Sequence, residues 1–324
     1  MRRAVLAAAL MMAAALSPTR GEAQSYPQRP VTMVVPYAAG GGTDAVGRAV
    51  AESMSETLGQ QVIIENSGGG GGMIGAGRVA RATPDGYTIL LHQPGLAAGV
   101  SLYRNNNFDP QRDLVGIGLV NVGPLMIVGR SSLPAGTFKE LAAWAKSTNY
   151  KLKFGHPGAG SMGHFCGALM GVAGAPVELV PYRGGGPAMA DTIAGHIDLT
   201  CVGLNFGVEQ AKAGTLKGIG ITSRETSPAA PTVEALGATY PELDLPYWHA
   251  LFAPAGTPQP IIDKLNAALR KSFSDPRVLR TFELNGMTVY PESERDPAAA
   301  TKLLAAEVKR LGDVIRANNI GVTQ

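Results

Sequence analysis

Short apolar runs alternate with amphipathic helical patterns from residue 31 almost to the end of the chain. The run Val31–Pro36 is nearly all apolar, which is typical of a strand buried on both faces. Glycines 40–42 follow it, and then a helical pattern carries an apolar residue at every fourth position from Val46 to Leu58. This order, repeated through further strands at 61–65 and 88–91, predicts a parallel sheet with crossover helices.

The same alternation restarts after Asp109, so that the 324 residues predict two domains of ordinary size. A Pro-rich stretch at 227–247 precedes a strand at 249–253 and two amphipathic helices. We therefore predict an α/β fold of two doubly wound lobes with a hinge and an interlobe cleft. Lobe 1 is predicted to comprise 24–125 and 249–324, and lobe 2 to comprise 126–248. The chain should cross between the lobes near Pro124–Val128 and Trp248–Ala253.

The N-terminus has the pattern of a secretory signal peptide over residues 1–23. Arg2 and Arg3 precede an apolar run from Ala4 to Leu16, and small residues end the segment at Ala23. The run is too short and too Ala-rich to span a bilayer stably. The sequence therefore predicts a periplasmic protein that begins near Gln24.

Composition excludes several partner classes. The formal net charge is +3 and the lysines and arginines do not cluster, which disfavours nucleic-acid binding. The five histidines show neither H-E-x-x-H nor paired-Cys spacing, so no metal site is expected. The two cysteines, Cys166 and Cys201, are compatible with a disulfide or with two buried thiols.

Three Gly-rich loops, at 36–44, 155–161 and 181–187, each follow a predicted strand and precede a predicted helix. Glycine lets the backbone approach a ligand, and the amides at a helix N-terminus carry about half a positive charge. Such loops suit a carboxylate without any Lys or Arg, although each could also be only a tight turn. Asp44, at a helix start, is expected to cap amides and order its loop.

Two enzymatic interpretations compete with binding. Gly158, Gly160 and Gly163 fit G-x-G-x-x-G with Glu178 20 residues beyond Gly158, but Glu178 opens the next apolar run instead of closing it. Nicotinamide binding is therefore disfavoured, and no cofactor is expected.

The segment Ala159–Gly163 also approaches the G-x-S-x-G elbow of hydrolases, with Ser161 as the nucleophile and a histidine as the base. Because residues 155–160 separate Ser161 from the preceding strand, a helix N-cap or ligand donor is the favoured role for Ser161. A secreted α/β hydrolase using Ser161 remains the alternative function. Tyr247 and Trp248, at the predicted crossover, are expected mainly to pack in the core.

The chain resembles the Bug-type receptors, which are the extracytoplasmic solute-binding proteins of tripartite tricarboxylate transporters. The resemblance covers essentially the whole mature chain, and its motifs occur in order: YPQRP running into VTMVVPYAAGGGTD at 26–44, EN at 65–66, MIG at 73–75, PDGYT at 84–88, PYRGGGPA at 181–188 and APAGTP at 253–258.

The resemblance implies a periplasmic-binding-protein-like receptor that is not an enzyme and closes on a small organic acid. It also implies membrane components of a tripartite tricarboxylate transporter as partners, and we expect a monomer. The ligand-binding residues that we predict are Tyr37, Ala39, Gly40, Gly41, Thr43, Asp44, His92, Gln93, Gly158, Gly160, Ser161, Tyr182, Gly184 and Asn205. His92 and Gln93 stand where this family usually has small hydroxylated residues, so they are expected to narrow the pocket and set its selectivity.

Overall fold

The computed structural model describes residues 26–103 and 106–321. The predicted signal peptide lies outside the described residues. The strands are β1 (Val31–Val35), β2 (Val62–Asn66), β3 (Thr88–His92), β4 (Leu114–Gly123), β5 (Leu125–Arg130), β6 (Leu152–His156), β7 (Val177–Pro181), β8 (Leu199–Gly203), β9 (Leu216–Ile221), β10 (Tyr247–Pro254) and β11 (Thr288–Val289). The α-helices are α1 (Gly42–Leu58), α2 (Met73–Ala80), α3 (Gly95–Leu102), α4 (Pro110–Asp113), α5 (Phe138–Ser147), α6 (Met162–Val172), α7 (Gly185–Ala194), α8 (Leu204–Lys212), α9 (Leu236–Thr239), α10 (Gln259–Ser272), α11 (Pro276–Leu284) and α12 (Pro297–Ala317).

The first sheet has six strands in the order β11-β4-β10-β3-β1-β2. Strand β1 is parallel to β2 and β3, whereas β10 is antiparallel to both β3 and β4. As predicted, β1 is buried on both faces: Met33 and Val35 pack with the apolar face of α1, and Val34 packs on the opposite side. Helix α10 packs on α1, and α12 packs on β4 and α3.

The second sheet has five strands in the order β7-β6-β8-β5-β9. Strands β6, β7 and β8 are parallel, and β5 runs antiparallel to β8 and β9. Helices α6, α7 and α8 pack on this sheet, each immediately after one of its parallel strands. Two α/β sheets with helices packed on them are thus present, as predicted.

The chain passes from one sheet to the other at two places. Pro124 separates β4 of the six-stranded sheet from β5 of the five-stranded sheet, and residues 222–246 lead from β9 back to β10. Residues 248–253, predicted as part of a crossing, lie inside β10. The lobe boundaries themselves stay a prediction.

Strand β4 was not predicted, because Gly116 and Gly118 interrupt its apolar pattern. A Cβ atom at Gly116 would lie 2.5 Å from the Pro297 carbonyl oxygen, and one at Gly118 would lie 2.8 Å from Asn266 Nδ2. The glycines therefore let α12 and α10 lie directly against the strand. Helices α3, α8 and α11 were also missed.

Cys166 of α6 and Cys201 of β8 form a disulfide, which decides between the two states that the sequence left open. Within the described residues, no helix combines the length and the apolar character that crossing a membrane requires.

Candidate ligand-binding site

A cavity of about 340 Å³ lies where the loops at the carboxyl ends of β1, β6, β7 and β8 meet. Elements of both sheets line it. The lining residues are Tyr37, Ala38, Gly40–Gly42, Thr43, Ala45, Gln93, Leu125, Pro157, Ser161–Gly163, Gly184–Gly186, Met189, Cys201–Gly203, Phe206, Tyr247, His249, Asn285 and Met287.

Four helices begin at this cavity. The residues that precede the first turns of α1, α6, α7 and α8 are Gly41, Ser161, Gly184 and Gly203, and all four line it. The three glycines have no side chain that could accept a hydrogen bond from the first turn of their helices. The first-turn amides of these helices are therefore not capped by the preceding residue. Because each N-terminus carries a partial positive charge, the cavity has a positive potential that suits an anion.

This potential does not depend on charged side chains. Among the residues that the structure describes, the lining contains no Lys, Arg, Asp or Glu. Burial lowers the pKa of His249 to about 3, so its imidazole is neutral near pH 7. Burial also raises the pKa of Tyr247 to about 12 and that of Tyr37 well above its ordinary value, which keeps both phenols protonated. Within the described part of the chain, an anion in this cavity therefore meets neutral hydrogen-bonding groups.

Asp44 orders the first loop and lies outside the lining. Its Oδ2 accepts hydrogen bonds from the Gly40 amide and Arg48 Nε, both at 2.9 Å, and its Oδ1 accepts one from Asn66 Nδ2 at 2.9 Å. Burial raises the pKa of Asp44, but these hydrogen bonds outweigh burial and hold the pKa below its ordinary value. The carboxylate therefore shapes the loop, and Gly40, Gly41 and Thr43 face the cavity.

Of the two residues predicted as ligand contacts at the end of β3, Gln93 lines the cavity and His92 does not. Gln93 lines the cavity: its Nε2 donates to the Tyr37 hydroxyl, its Oε1 accepts from the Gly95 amide at 3.0 Å, and the Tyr37 hydroxyl donates to the Gly71 carbonyl at 3.0 Å. His92 is fully buried and outside the lining, with its ring edge-on to Tyr37 at 5.7 Å between centroids. Neighbouring residues point in opposite directions along a strand, which explains why only one of the pair reaches the cavity.

The loop after β6, residues 157–161, uses two of its amides internally. The Gly158 amide donates to His156 Nδ1 at 3.2 Å, and the Gly160 amide donates to His164 Nδ1 at 3.3 Å. Burial lowers the pKa of both histidines, that of His164 to about 4, so both rings are neutral acceptors. Gly158 and Gly160 lie outside the cavity lining because their amides hold the loop in shape.

Ser161 caps α6. Its hydroxyl donates to the Gly158 carbonyl at 2.7 Å and accepts from the His164 amide at 3.2 Å. Its single proton is therefore committed to a backbone carbonyl, whereas a hydrolase nucleophile must give its proton to a base. Since His164 Nδ1 already accepts from Gly160, this geometry supports the N-cap role.

The remaining predicted residues, Ala39, Tyr182 and Asn205, also lie outside the lining. Tyr182 donates its hydroxyl proton to Asp191 Oδ2 at 2.6 Å, on the outer side of α7. Asn205, in the first turn of α8, donates through Nδ2 to the Glu283 carbonyl at the end of α11. These hydrogen bonds engage the Tyr182 hydroxyl and the Asn205 Nδ2 within the protein.

Several lining residues were not predicted from the sequence. Tyr247 and His249 alternate along β10 and share the face that meets the cavity, with Trp248 on the other face bonded to Glu307. Asn285 and Met287 follow α11, and Gly203 precedes α8. The spacing of Tyr247 and His249, two positions apart, could have placed both side chains on one face of a strand. It does not reveal which face of the strand meets the cavity.

Comparison with known proteins agrees with this architecture. The family model described as "Tripartite tricarboxylate transporter family receptor" matches residues 46–320. The periplasmic binding protein BugD is 36% identical with a TM-score of 0.85, covering 91% of this chain and 99% of BugD. MatC from Rhodopseudomonas palustris, with bound malate, is 34% identical with a TM-score of 0.84, covering 90% and 100%. The R. palustris protein Rpa4515, with adipate, is 28% identical with a TM-score of 0.83, covering 91% and 99%.

The resemblance predicted from the sequence motifs is therefore confirmed over most of the chain. No comparison supports the hydrolase alternative. The chain belongs to the receptor family of tripartite tricarboxylate transporters.

Proposed function

We propose that this receptor captures a small organic acid in the cavity between its two sheets and does no chemistry on it. The observation that carries the proposal is the convergence of four helix N-termini on a cavity whose described lining residues include no charged side chain. Amide groups that already point at the ligand stabilise a carboxylate without the cost of burying a counter-charge. Malate and adipate in the two R. palustris structures are both carboxylates, which supports the same ligand class here.

The ligand contacts that we propose come from Gly40–Thr43, Gln93, Ser161, Gly184–Gly186 and Gly203, with Tyr37 and Tyr247 at the sides. Binding is expected to bring together lobe 1 (24–125 and 249–324) and lobe 2 (126–248). Two hydrogen bonds between the two halves of the molecule support closure. The Tyr103 hydroxyl donates to the Ala159 carbonyl, and Asn205 Nδ2 donates to the Glu283 carbonyl.

A thermal-shift screen of the mature protein against mono-, di- and tricarboxylates tests the ligand class. A bound acid at a hundredfold excess over its Kd stabilises the fold by about 2.7 kcal/mol. Each acid that binds is compared with its uncharged amide, for example succinate with succinamide. We expect the amide to bind at least tenfold more weakly, and an amide that bound equally well would contradict the proposal.

The absence of catalysis is tested separately. Esters of the acids that bind are incubated with the wild-type protein and with Ser161→Ala, and ester hydrolysis is measured. Steady turnover by the wild type that disappears in Ser161→Ala would show that the receptor is an enzyme. We expect no turnover by either protein.

We further propose that residues 1–23 are removed during export, that the periplasmic protein is a monomer, and that it delivers its ligand to membrane components of a tripartite tricarboxylate transporter. Intact mass of the exported protein should correspond to a chain that begins at Gln24. Light scattering of that protein should give the mass of one chain, and a stable dimer would contradict the monomer.

A further inference from the structure

A chain of buried hydrogen bonds leads from the interior of the six-stranded sheet to the cavity wall. His249 Nδ1 lies 2.8 Å from Asn121 Oδ1, His249 Nε2 lies 3.1 Å from Thr43 Oγ1, and Thr43 Oγ1 lies 3.0 Å from the Tyr247 hydroxyl. Asn121 and His249 are fully buried, and Thr43 is 5% exposed. Thr43, Tyr247 and His249 all line the cavity.

The direction of each proton in this chain follows from its inner end. The Asn121 amide presents Oδ1 to the ring, and its buried Nδ2 has no hydrogen-bond partner among the described residues. In this orientation the amide oxygen only accepts, so His249 carries its proton on Nδ1 and donates it to Asn121. A neutral imidazole with a protonated Nδ1 has a lone pair on Nε2, so the Thr43 hydroxyl donates to His249. The only proton of Thr43 is then used, so the Tyr247 hydroxyl must donate to Thr43.

This direction makes the Tyr247 oxygen an acceptor toward the cavity. The hydroxyl proton of Tyr247 is donated to Thr43, so the phenol oxygen can take part in a further hydrogen bond only as an acceptor, through a lone pair. A carboxylate oxygen placed against that lone pair would be repelled, whereas a hydroxyl group would donate to it. The amides of the helix N-termini, by contrast, only donate. The cavity thus has separate positions for an acid group and for a hydroxyl group.

The second cavity tyrosine is arranged differently. The Tyr37 hydroxyl donates to the Gly71 carbonyl and accepts from Gln93 Nε2, so both kinds of hydrogen bond are already made within the protein. Tyr37 therefore serves as an internal comparison for Tyr247.

We propose that Tyr247, oriented through Thr43, His249 and Asn121, accepts a hydrogen bond from a ligand hydroxyl, and that the receptor selects hydroxycarboxylic acids over the same acids without the hydroxyl. The proposal rests on the proposed function, since it assumes that an acid occupies the cavity. Asn121 and His249 are positioning residues in this scheme, and Tyr247 makes the selective contact.

Isothermal titration with matched acids tests the selectivity. The pairs are lactate with propionate, malate with succinate, and 2-hydroxyglutarate with glutarate. In the pair that binds most tightly we expect the hydroxy acid to bind about tenfold more tightly than its partner, since one buried hydrogen bond is made or lost. Tyr247→Phe should bring the two affinities together by weakening only the hydroxy acid. Tyr37→Phe, the matched control, should change both affinities alike and keep their ratio.

Equal affinities of the wild-type protein for both members of the pair would overturn the inference and leave the proposed function intact. Binding of no acid in the panel would overturn both. A Tyr247→Phe protein that keeps the tenfold preference would assign the selectivity to another residue and overturn the inference.

The proton direction is measured on the unaltered protein, and a variant is used only to assign the His249 signal. Nitrogen-15 NMR of histidine-labelled protein distinguishes an imidazole protonated on Nδ1 from one protonated on Nε2, and the His249 signal is assigned by its loss in His249→Gln. Protonation on Nδ1 is expected. Protonation on Nε2 would reverse the chain, make Tyr247 a donor and overturn the inference.

Discussion

The hydroxyl of Tyr103 donates a hydrogen bond to the backbone carbonyl of Ala159, 2.5 Å away. Tyr103 follows α3, which packs on α12, the helix that lies on β4 of the six-stranded sheet. Ala159 lies in the loop after β6 of the five-stranded sheet. The bond therefore joins the two halves of the molecule beside the cavity. Since such a bond exists only when the halves are together, it favours the closed state.

Removing this hydroxyl should weaken ligand binding without weakening either half. We expect Tyr103→Phe to raise the Kd of a bound acid about 3- to 10-fold, which corresponds to one hydrogen bond of about 1 kcal/mol. Titration calorimetry measures this change. The control is Tyr150→Phe, because the Tyr150 hydroxyl bonds Asp198 within the five-stranded half. Equal effects of the two variants would show that the Tyr103 bond does not contribute to closure.

A side chain at Gly41 should block the approach of a ligand to the first helix N-terminus. Gly41 has φ −85°, and a Cβ atom there would have only the Ala38 oxygen nearby, at 3.6 Å, so the fold accommodates Gly41→Val. As an N-cap change it should cost about 1 kcal/mol of the free energy of unfolding at most. We expect acid affinity to fall more than tenfold while thermal unfolding changes by a few degrees. Gly136→Val is the control, since a Cβ atom at Gly136 meets nothing within 4 Å. An unchanged Kd in Gly41→Val would exclude this N-terminus from the ligand site.

Folding stability should decrease as the pH falls below about 6.5. Burial lowers the pKa of His92 to about 4, that of His164 to about 4 and that of His249 to about 3. Between these pKa values and about pH 6.5, each of these histidines is protonated in the unfolded chain but stays neutral in the folded chain. The free energy of unfolding therefore falls by up to about 1.4 kcal/mol per histidine for each pH unit in this range.

Urea unfolding between pH 5 and pH 7.5 measures this dependence. His156, whose pKa burial also lowers, adds a smaller contribution, so His92→Gln should reduce the slope by about a quarter to a third. A free energy of unfolding that stayed constant over this range would show that the three rings are not kept neutral by the fold.

The Cys166–Cys201 disulfide should stabilise the second half of the molecule. The two cysteines are 35 residues apart, and a closed loop of that length contributes about 4 kcal/mol by restricting the unfolded chain. We expect urea unfolding of the wild type to shift to lower urea when a reductant is added. The double variant Cys166→Ala/Cys201→Ala should already unfold at lower urea and should not respond to reductant. A reductant effect of equal size in that variant would assign the loss to something other than the disulfide.

Features that depend on neighbouring residues could be predicted from the sequence. The apolar run of β1, the period of α1 and the loop-ordering role of Asp44 involve residues within one strand, one helix or one loop. The ordered motifs from Tyr26 to Pro258 were enough to predict the family, and the three Gly-rich loops predicted helix N-termini after strands. Each of these signals is a spacing along the chain, which backbone geometry converts directly into local structure.

Features that depend on which atoms meet across the fold could not be predicted. The amides of Gly158 and Gly160 were expected to face a ligand, but their bonds to His156 and His164 depend on side-chain orientations. Both His92 and Gln93 were predicted to contact the ligand, but only Gln93 lines the cavity, whereas His92 is buried. Which of the two side chains reaches the cavity depends on how the end of β3 is oriented in the fold.

The cavity wall shows the same division between local pattern and tertiary structure. Thr43 and Tyr247 are separated by 204 positions, and Thr43 and His249 by 206, yet they form one hydrogen-bonded chain. The local sequence predicts that a helix begins near Thr43 and that residues 249–253 form a strand, and in the structure this strand begins at Tyr247. Only the antiparallel insertion of β10 between β3 and β4 brings the two side chains together, because strand pairing and register set distances that no spacing along the chain encodes.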